Sequence, residues 1–591
     1  MFAENTTNRI LIIFAILFIA TLSIYSIFLV PRPFYIQSTD IENGYYYDAR
    51  LIYEGISTKT VTHPATPLFY IYSKVFIFTG DDIPSTQQFL RVIYFIHALL
   101  TILALTYFIR RVRTENVFLK ILTLLFILGS PSFLTYQDYI GADAVVVLIG
   151  LPLLTFVWNL LKQEKKNIWL ILLVSVYFGF IFAVKFSFIF LIIPSYAALL
   201  ASVLLWKDWG AFKTLLFLPI SSLVFFFIFI SRVVYRLPAI LNQAIIRDIS
   251  STSGVWSFLE RFYLNVNFLI LERPIFTAAI LFISTTFTVL TILYAFRLAK
   301  TQDFFTNDDK TIIPAVLIGA FGILALIYTL VVSGDISGND IKGEELGVSL
   351  RNIAPALLLF PFIVITIVEI LKRFNFILNK KIYLIAAIFA FVLIAESVIS
   401  HISYRNTLIS STLKRMAKTE KELLSLVPEN EAFAIWGTDS KVAFGEAMFH
   451  YWGNHKYAWS AFDKELAEYF GDIEFFHFRV AGQLVGQGRL DTIDRNYALP
   501  GILQENPFLA NLYSRWRNRF PPPNETDNIL TAEGIVKKPK VIMFPETERE
   551  ISHDDDVKLL KLFEHRFGIK YTKTILNIEG RDWTIFTSVQ K

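Results

Sequence analysis

The sequence predicts a mainly α-helical, polytopic membrane bundle of about eleven spans with a water-soluble α/β domain at its C-terminal end. Three observations predict it. Of 591 residues, 54% are hydrophobic and only 18% are charged, against about 25% in soluble domains. Apolar runs of the length that crosses a hydrocarbon core, about 20 residues for roughly 30 Å, recur along the first two thirds. Residues 403–591 hold roughly half of all charged residues.

The same numbers exclude other classes. A mean hydropathy of +0.52 is foreign to an ordinary soluble enzyme or a disordered tail. The net charge is only +5, and the basic residues sit in short clusters between apolar runs, which argues against a nucleic-acid partner. With no Cys, disulfides, thiolate zinc sites and Cys nucleophiles are all excluded.

The apolar runs lie near 10–30, 89–109, 117–135, 141–161, 168–187, 188–206, 212–232, 274–296, 311–333, 352–371 and 381–402. The stretch 168–206 reads as two spans hinged at Lys185 to Ser187, or as one span and a re-entrant piece. Basic residues set orientation. Arg110, Arg111 and Arg113, Lys162, Lys165 and Lys166, Lys207 and Lys213, Arg297 and Lys300, and Lys372, Arg373, Lys380 and Lys381 all fall on one side. With those clusters cytoplasmic, the N-terminus is cytoplasmic too, and an odd span count puts the C-terminal domain outside the inner cell membrane. The first run is too long for a signal-peptide core and reads as an anchor.

The membrane domain is expected over residues 1–402 and the soluble domain over 403–591. Long loops at 31–88, 233–273 and 334–351 face the outer side, and loops of that length tend to carry function. The tail begins with an amphipathic helical pattern over 408–426. Strands are predicted at Ala432–Trp436, Lys540–Phe544, Tyr571–Leu576 and Trp583–Val589, with a helix at Val557–Phe567 behind Asp554, Asp555 and Asp556. Trp436–Lys441 and the tail's aromatics suit core packing or a saccharide groove. Asn524-Glu525-Thr526 matches a glycosylation acceptor.

Chemistry concentrates in the first outer loop. Asp40 and Glu42 follow the first run, and two carboxylates this close can serve as a base with a supporting partner, or hold a divalent metal. A solvated loop start is the plain alternative. Residues 45–55 and 67–80 read as Tyr- and Phe-rich interfacial helices that carry the pair to the level of lipid head groups. In His63-Pro64-Ala65-Thr66-Pro67 the prolines fix a turn, and His63 at its start can donate to a phosphate or a sugar. Lys185 stands in apolar sequence, where an unpaired charge costs about 2.5–3.5 kcal/mol, so it either snorkels or meets an anion. Arg351, at the outer edge of a late run, is an interfacial anchor or a second phosphate donor. His97 and Glu396, inside membrane runs, read as interhelical polar contacts.

These motifs resemble the GT-C membrane glycosyltransferases, including the protein O-mannosyltransferases, the lipid A aminoarabinose transferase and the lipopolysaccharide-core sugar transferases. The resemblance rests on D-x-E-x-x-Y at Asp40, Ala49-Arg50-x-x-x-x-Gly55, HPxTPL from His63, and Asp143 at the start of the fourth run. Gly179-x-x-x-x-x-Lys185 and Arg351-Asn352-x-x-Pro355 complete it. Asn352 replaces an aromatic residue of that pattern, and 250–258 lacks the His and Tyr of another. The resemblance covers roughly residues 10–402 and implies a polyprenyl-phosphate-linked sugar donor and an inverting transfer to a protein, lipid or glycan acceptor. It implies Asp40 or Glu42 as base, Lys185 and Arg351 on the donor phosphate, and His63 and Asp143 orienting these parts. A transporter or flippase of lipid-linked saccharides is the rival expectation, although no inverted repeat is visible. A glycan receptor on a membrane anchor is a third, for which eleven spans are excessive.

Overall fold

A computed structural model describes residues 2–29, 42–53, 65–80, 86–112, 117–130, 140–142, 144–231, 255–300, 306–332, 353–376, 380–407, 433–435, 540–545, 568–578 and 581–589, with single residues at 133, 422, 425, 426, 511 and 564. In chain order the helices are α1 (Phe2–Ile24, continued by a π-turn over Tyr25–Leu29), α2 (Glu42–Tyr53), α3 (Thr66–Ser73), α4 (Phe76–Thr79) and α5 (Thr86–Arg111). There follow α6 (Val117–Leu128), α7 (Val146–Leu161), α8 (Ile168–Val184), α9 (Ile189–Trp206) and α10 (Trp209–Phe229). The series ends with α11 (Val255–Glu272), α12 (Pro274–Lys300), α13 (Asn307–Val332), α14 (Phe360–Arg373) and α15 (Lys380–Thr407).

Among the described residues, eight helical segments are long and apolar enough to cross a membrane, and the chain is a multi-pass membrane protein. Every one of the eleven apolar runs holds a helix, but three are shorter than expected. α6, α7 and α8 have 12, 16 and 17 residues, and at about 1.5 Å per residue none covers the full hydrocarbon core. The hinge expected within 168–206 is real. α8 stops at Val184, Lys185 is extended (φ −159°, ψ 134°), a 3₁₀ turn spans Phe186–Phe188, and α9 begins at Ile189.

α14 sits at the centre. Its residues from Phe360 to Thr366 are all buried, the mark of a helix apolar all round. Phe362 meets Phe108 and Trp158 at ring-centroid distances of 6.1 and 5.6 Å, and Phe360 stacks on Phe126 at 6.0 Å. Gly179 brings α8 against α10, since a Cβ there would lie 2.6 Å from the carbonyl oxygen of Ser222. Lys166 and Asp208, just before these two helices, are bonded to one another, so the pair runs parallel.

The charges collect at the two ends of the bundle. At the basic end, Lys162 pairs with Glu369 at 2.8 Å. Asp309 accepts from Tyr294 (2.6 Å), from Thr306 (2.6 Å) and from Arg373 (3.1 Å at each of two nitrogens). Arg297 donates to the backbone oxygen of Arg373, and Lys120 donates to Asn8 at 3.4 Å. These contacts join the clusters at 162–166, 207–208, 297 and 372–373 at one end, as expected from their spacing. At the opposite, loop end, Tyr25 donates to Asn406 at 2.8 Å, tying the exit of α1 to the exit of α15. There Glu396 accepts the Ile275 and Phe276 amides at 2.9 Å each, which satisfies donors left open at the start of α12. His97 meets the Tyr72 hydroxyl at 3.0 Å. Both polar residues thus make the interhelical contacts expected of them.

α15 continues to Thr407, past residue 402. The tail forms a mixed four-stranded sheet, β1 (Phe433–Ile435), β2 (Val541–Pro545), β3 (Tyr571–Ile578) and β4 (Arg581–Ser588), ordered β1-β2-β4-β3. All four expected strands are present. β1 and β2 are parallel, and the other pairs are antiparallel. Val541, Ile578, Trp583 and Ile585 on the sheet belong to the same apolar cluster as the bundle. The helical patterns expected at 408–426 and 557–567, Trp436–Lys441 and the Asn524 triplet lie almost wholly outside the described residues.

Two outcomes follow. Replacing Glu396 by Ala strands two part-buried amides at the start of α12, each worth up to about 1–3 kcal/mol when unsatisfied, and should lower the thermal midpoint in detergent clearly more than Glu396→Gln does. An unchanged midpoint in both variants would rule out the capping role. A reporter fused after Lys591 should be active outside the cytoplasm and one inserted at Gln163–Asn167 inside it; reversed activities would overturn the orientation read from the basic clusters.

Candidate functional site

The loop end is built by α2, α3 and α4 lying against the bundle. α2 is more buried than an interfacial helix needs: Tyr45, Tyr46, Asp48, Ala49 and Arg50 are all inside. Its tyrosines lock it through aromatic contacts. Tyr45 meets Phe69 edge-on at 5.2 Å, Tyr46 meets Phe89 at 5.1 Å and Phe76 at 5.5 Å, and Phe76 stacks on Phe89 at 4.3 Å. An apolar strip, Ile71, Ile77 and Phe78, stays exposed, in keeping with a position at a lipid interface. α3 begins where the prolines allow, with Pro67 in its first turn and the Ala65 carbonyl accepting from Leu68 at 2.9 Å.

Tyr72 at the end of α3 joins three parts of the chain. Its hydroxyl meets His97 of α5, and it is hydrogen-bonded with the backbone of Gly141, just before α7. Burial pushes this hydroxyl well above the usual phenol range, and the Gly141 bond pulls the other way. The group stays neutral and able to donate at any physiological pH.

α7 and α8 form a hairpin whose register is fixed by Tyr177, which donates to the Ile149 carbonyl at 2.7 Å. In that register Gly141 and Lys185 lie at the same end. Lys185 is buried, at 8% exposure, where the helix breaks. An aromatic group surrounds the break, with Phe182 4.8 Å from Phe186 and 5.1 Å from Phe226. The start of the α14 segment reaches the same region: a side chain on Gly150 of α7 would run into Leu191 of α9 and Leu358, which lies five residues after Ile353.

Of the residues singled out in the sequence, Lys185 is fully described and sits at this end. Glu42 opens α2, and its side chain lies outside the described residues. Asp40, His63, Asp143 and Arg351 also lie outside them. Of the described residues that flank them, Ala65 and Ala142 belong to one apolar cluster with α2, and Ile353 packs in a second one with Phe276 and Leu393. Among the described residues no group of three His, Asp or Glu side chains is arranged to hold a metal ion.

Sequence reading missed Asp48 and Arg50, exposed by only 0% and 1%. The signal was present: Arg50 belongs to the A-R-x-x-x-x-G stretch, and two opposite charges on a helix otherwise rich in Tyr need partners inside the protein. Tyr72 was also missed, because a tyrosine in an aromatic run carries no mark of its hydrogen-bonding role.

No family model and no curated protein matches the chain. Among solved structures it is similar to the crystal structure of ArnT from Cupriavidus metallidurans bound to undecaprenyl phosphate, at 10% identity over 97% of this chain and 98% of that one, with a TM-score of 0.46.

Proposed function

We propose that this chain is an integral-membrane inverting glycosyltransferase that moves a sugar from a polyprenyl-phosphate-linked donor to an extracytoplasmic acceptor. The observation that supports the reading is Lys185: a buried cation held at a helix break, at the same end of the α7–α8 hairpin as Gly141. A lipid-linked phosphate needs fixed cationic donors at the depth of the head group, and a buried ammonium at a rigid break supplies one.

In this reading the Asp40 carboxylate takes the proton from the acceptor hydroxyl as its oxygen attacks the anomeric carbon. The bond from that carbon to the phosphate oxygen breaks on the opposite face. Lys185 and Arg351 carry the charge that develops on the departing phosphate, and His63 and Asp143 orient the sugar between the two sides. Glu42, the first residue of α2, supports Asp40 or shares a divalent metal with it. The chain leaves α15 beside the exit of α1, and in this reading the C-terminal domain that follows meets the acceptor.

The direct test is to reconstitute the purified chain and supply a panel of polyprenyl-phosphate sugars. Donor consumption with release of polyprenyl phosphate supports the reading. Intact donor appearing in the opposite leaflet would replace it with a flippase.

Two substitutions sharpen it. Lys185→Ala and Arg351→Ala should each weaken donor binding about tenfold to hundredfold, the value of a charge-assisted hydrogen bond, in protein that still folds. Donor affinity unchanged in both would return the two residues to anchoring. Asp40→Asn should leave donor binding intact and lower transfer about 10²–10⁴-fold. Glu42→Gln should be milder if Glu42 only supports its neighbour, and as severe, with chelator sensitivity, if the pair binds a metal. Near-normal transfer by Asp40→Asn would remove it as the base.

A further inference from the structure

The basic end holds a group of side chains for which transfer at the loop end has no use. Trp206 closes α9, Lys166 precedes α8, and Lys310 lies in the first turn of α13. The Lys310 ammonium stands 4.8 Å from the centroid of the Trp206 ring and the Lys166 ammonium 6.0 Å from it. The indole Nε1 is buried and has no hydrogen-bond partner among the described residues. Lys166 itself is only 5% exposed.

Among the described carboxylates near these cations, Asp208 acts on Lys166, and the others are committed elsewhere or exposed to solvent. Asp208 accepts the amides of Lys166 and Ala211, at 2.8 and 3.2 Å. Glu369 pairs with Lys162, Asp309 serves Arg373, Tyr294 and Thr306, and Glu164 and Asp308 are exposed. The Lys166 ammonium donates to the Gln163 carbonyl at 2.7 Å, a neutral acceptor. Burial pushes this ammonium down to about 8, with the Asp208 charge pulling the other way. Among the described residues, two ammonium groups from two elements stand over one indole ring whose own N–H has no partner, with the single carboxylate of Asp208 acting on Lys166, and an anion would offset the remaining positive charge.

We infer that Trp206, Lys166 and Lys310 form a phosphate-binding site at the basic end of the bundle, filled by the head group of an anionic membrane phospholipid. The level of the site favours lipid, because it lies where membrane helices end and head-group phosphates begin. The ring would meet the acyl side, and the two ammonium groups would supply the charge for the phosphate. A lipid held there would bridge α9, the α7–α8 connection and α13, and so brace the end of the bundle away from the transfer site. The inference is independent of the proposed transferase activity.

Native mass spectrometry of the full chain, delipidated in detergent and titrated with phosphatidylglycerol or phosphatidylcholine, tests it. The wild-type chain should bind phosphatidylglycerol about tenfold to hundredfold more tightly than Lys166→Gln/Lys310→Gln, from the loss of charge-assisted contacts, and should prefer it to phosphatidylcholine. Trp206→Phe, which keeps the ring and loses only the N–H, should fall between. Displacement of bound phosphatidylglycerol by millimolar inorganic phosphate would assign the site to free phosphate groups, and retention assigns it to the lipid. Equal phosphatidylglycerol affinity in wild type and a double variant of unchanged thermal midpoint would overturn the site, as would equal affinity for the two lipids. If the double variant does not fold, wild-type affinity in Trp206→Phe would overturn it alone.

Discussion

Hydrocarbon can neither solvate a charge nor bond an open amide, and this constraint arranges the rest of the molecule. Charged side chains are driven to the ends of the bundle, where they are neutralised locally. Asp309 is the clearest case: one carboxylate is shared by a tyrosine, a threonine and an arginine from three different segments, so α12, α13 and α14 end in register. Glu396 obeys the same rule from the other direction. It lies on a membrane helix and persists there because it closes the start of α12.

The central helix and its short neighbours give the two ends different characters. α14 is buried on all sides and packs against rings from α5, α6 and α7. The short helices α7 and α8 end before a full crossing, so their loop end is completed by other parts of the chain. The α2–α4 segment serves there, held by tyrosine and phenylalanine contacts and by the bonds of Tyr72 to His97 and Gly141. A polar region can exist at that depth only because protein, not lipid, covers the irregular backbone. The break at Lys185 belongs to this region, and the same covering lets a cation stay buried there.

Much was legible in the chain itself. Length and composition of the apolar runs set the eleven helices, since only a sufficiently long apolar stretch is stable in a bilayer. The spacing of basic residues predicted a single charged end. Strand patterns in the tail named all four β-strands to within two or three residues, because alternation of side chains is a local property. The hinge at Lys185 was legible for the same reason: a cation in an apolar run resists continuation of a lipid-exposed helix.

What the chain could not say involves partners distant in sequence. Glu396 meets amides 120 and 121 residues away, and the Tyr72–His97 bond spans 25 residues. No local pattern encodes either. The parallel pairing of β1 with β2, the burial of Asp48 and Arg50, and the gathering of two lysines on Trp206 were likewise decided by tertiary packing. The shortness of α6, α7 and α8 belongs here too, because hydropathy reports that a segment tolerates lipid, whereas its true end depends on which neighbours satisfy the backbone beyond it. The sequence by itself determined which segments enter the membrane, which end carries the basic charge and which residues are chemically capable. Only the tertiary structure decided which of them meet, since burial cost is local while the hydrogen bonds and counter-charges that offset it come from anywhere in the chain.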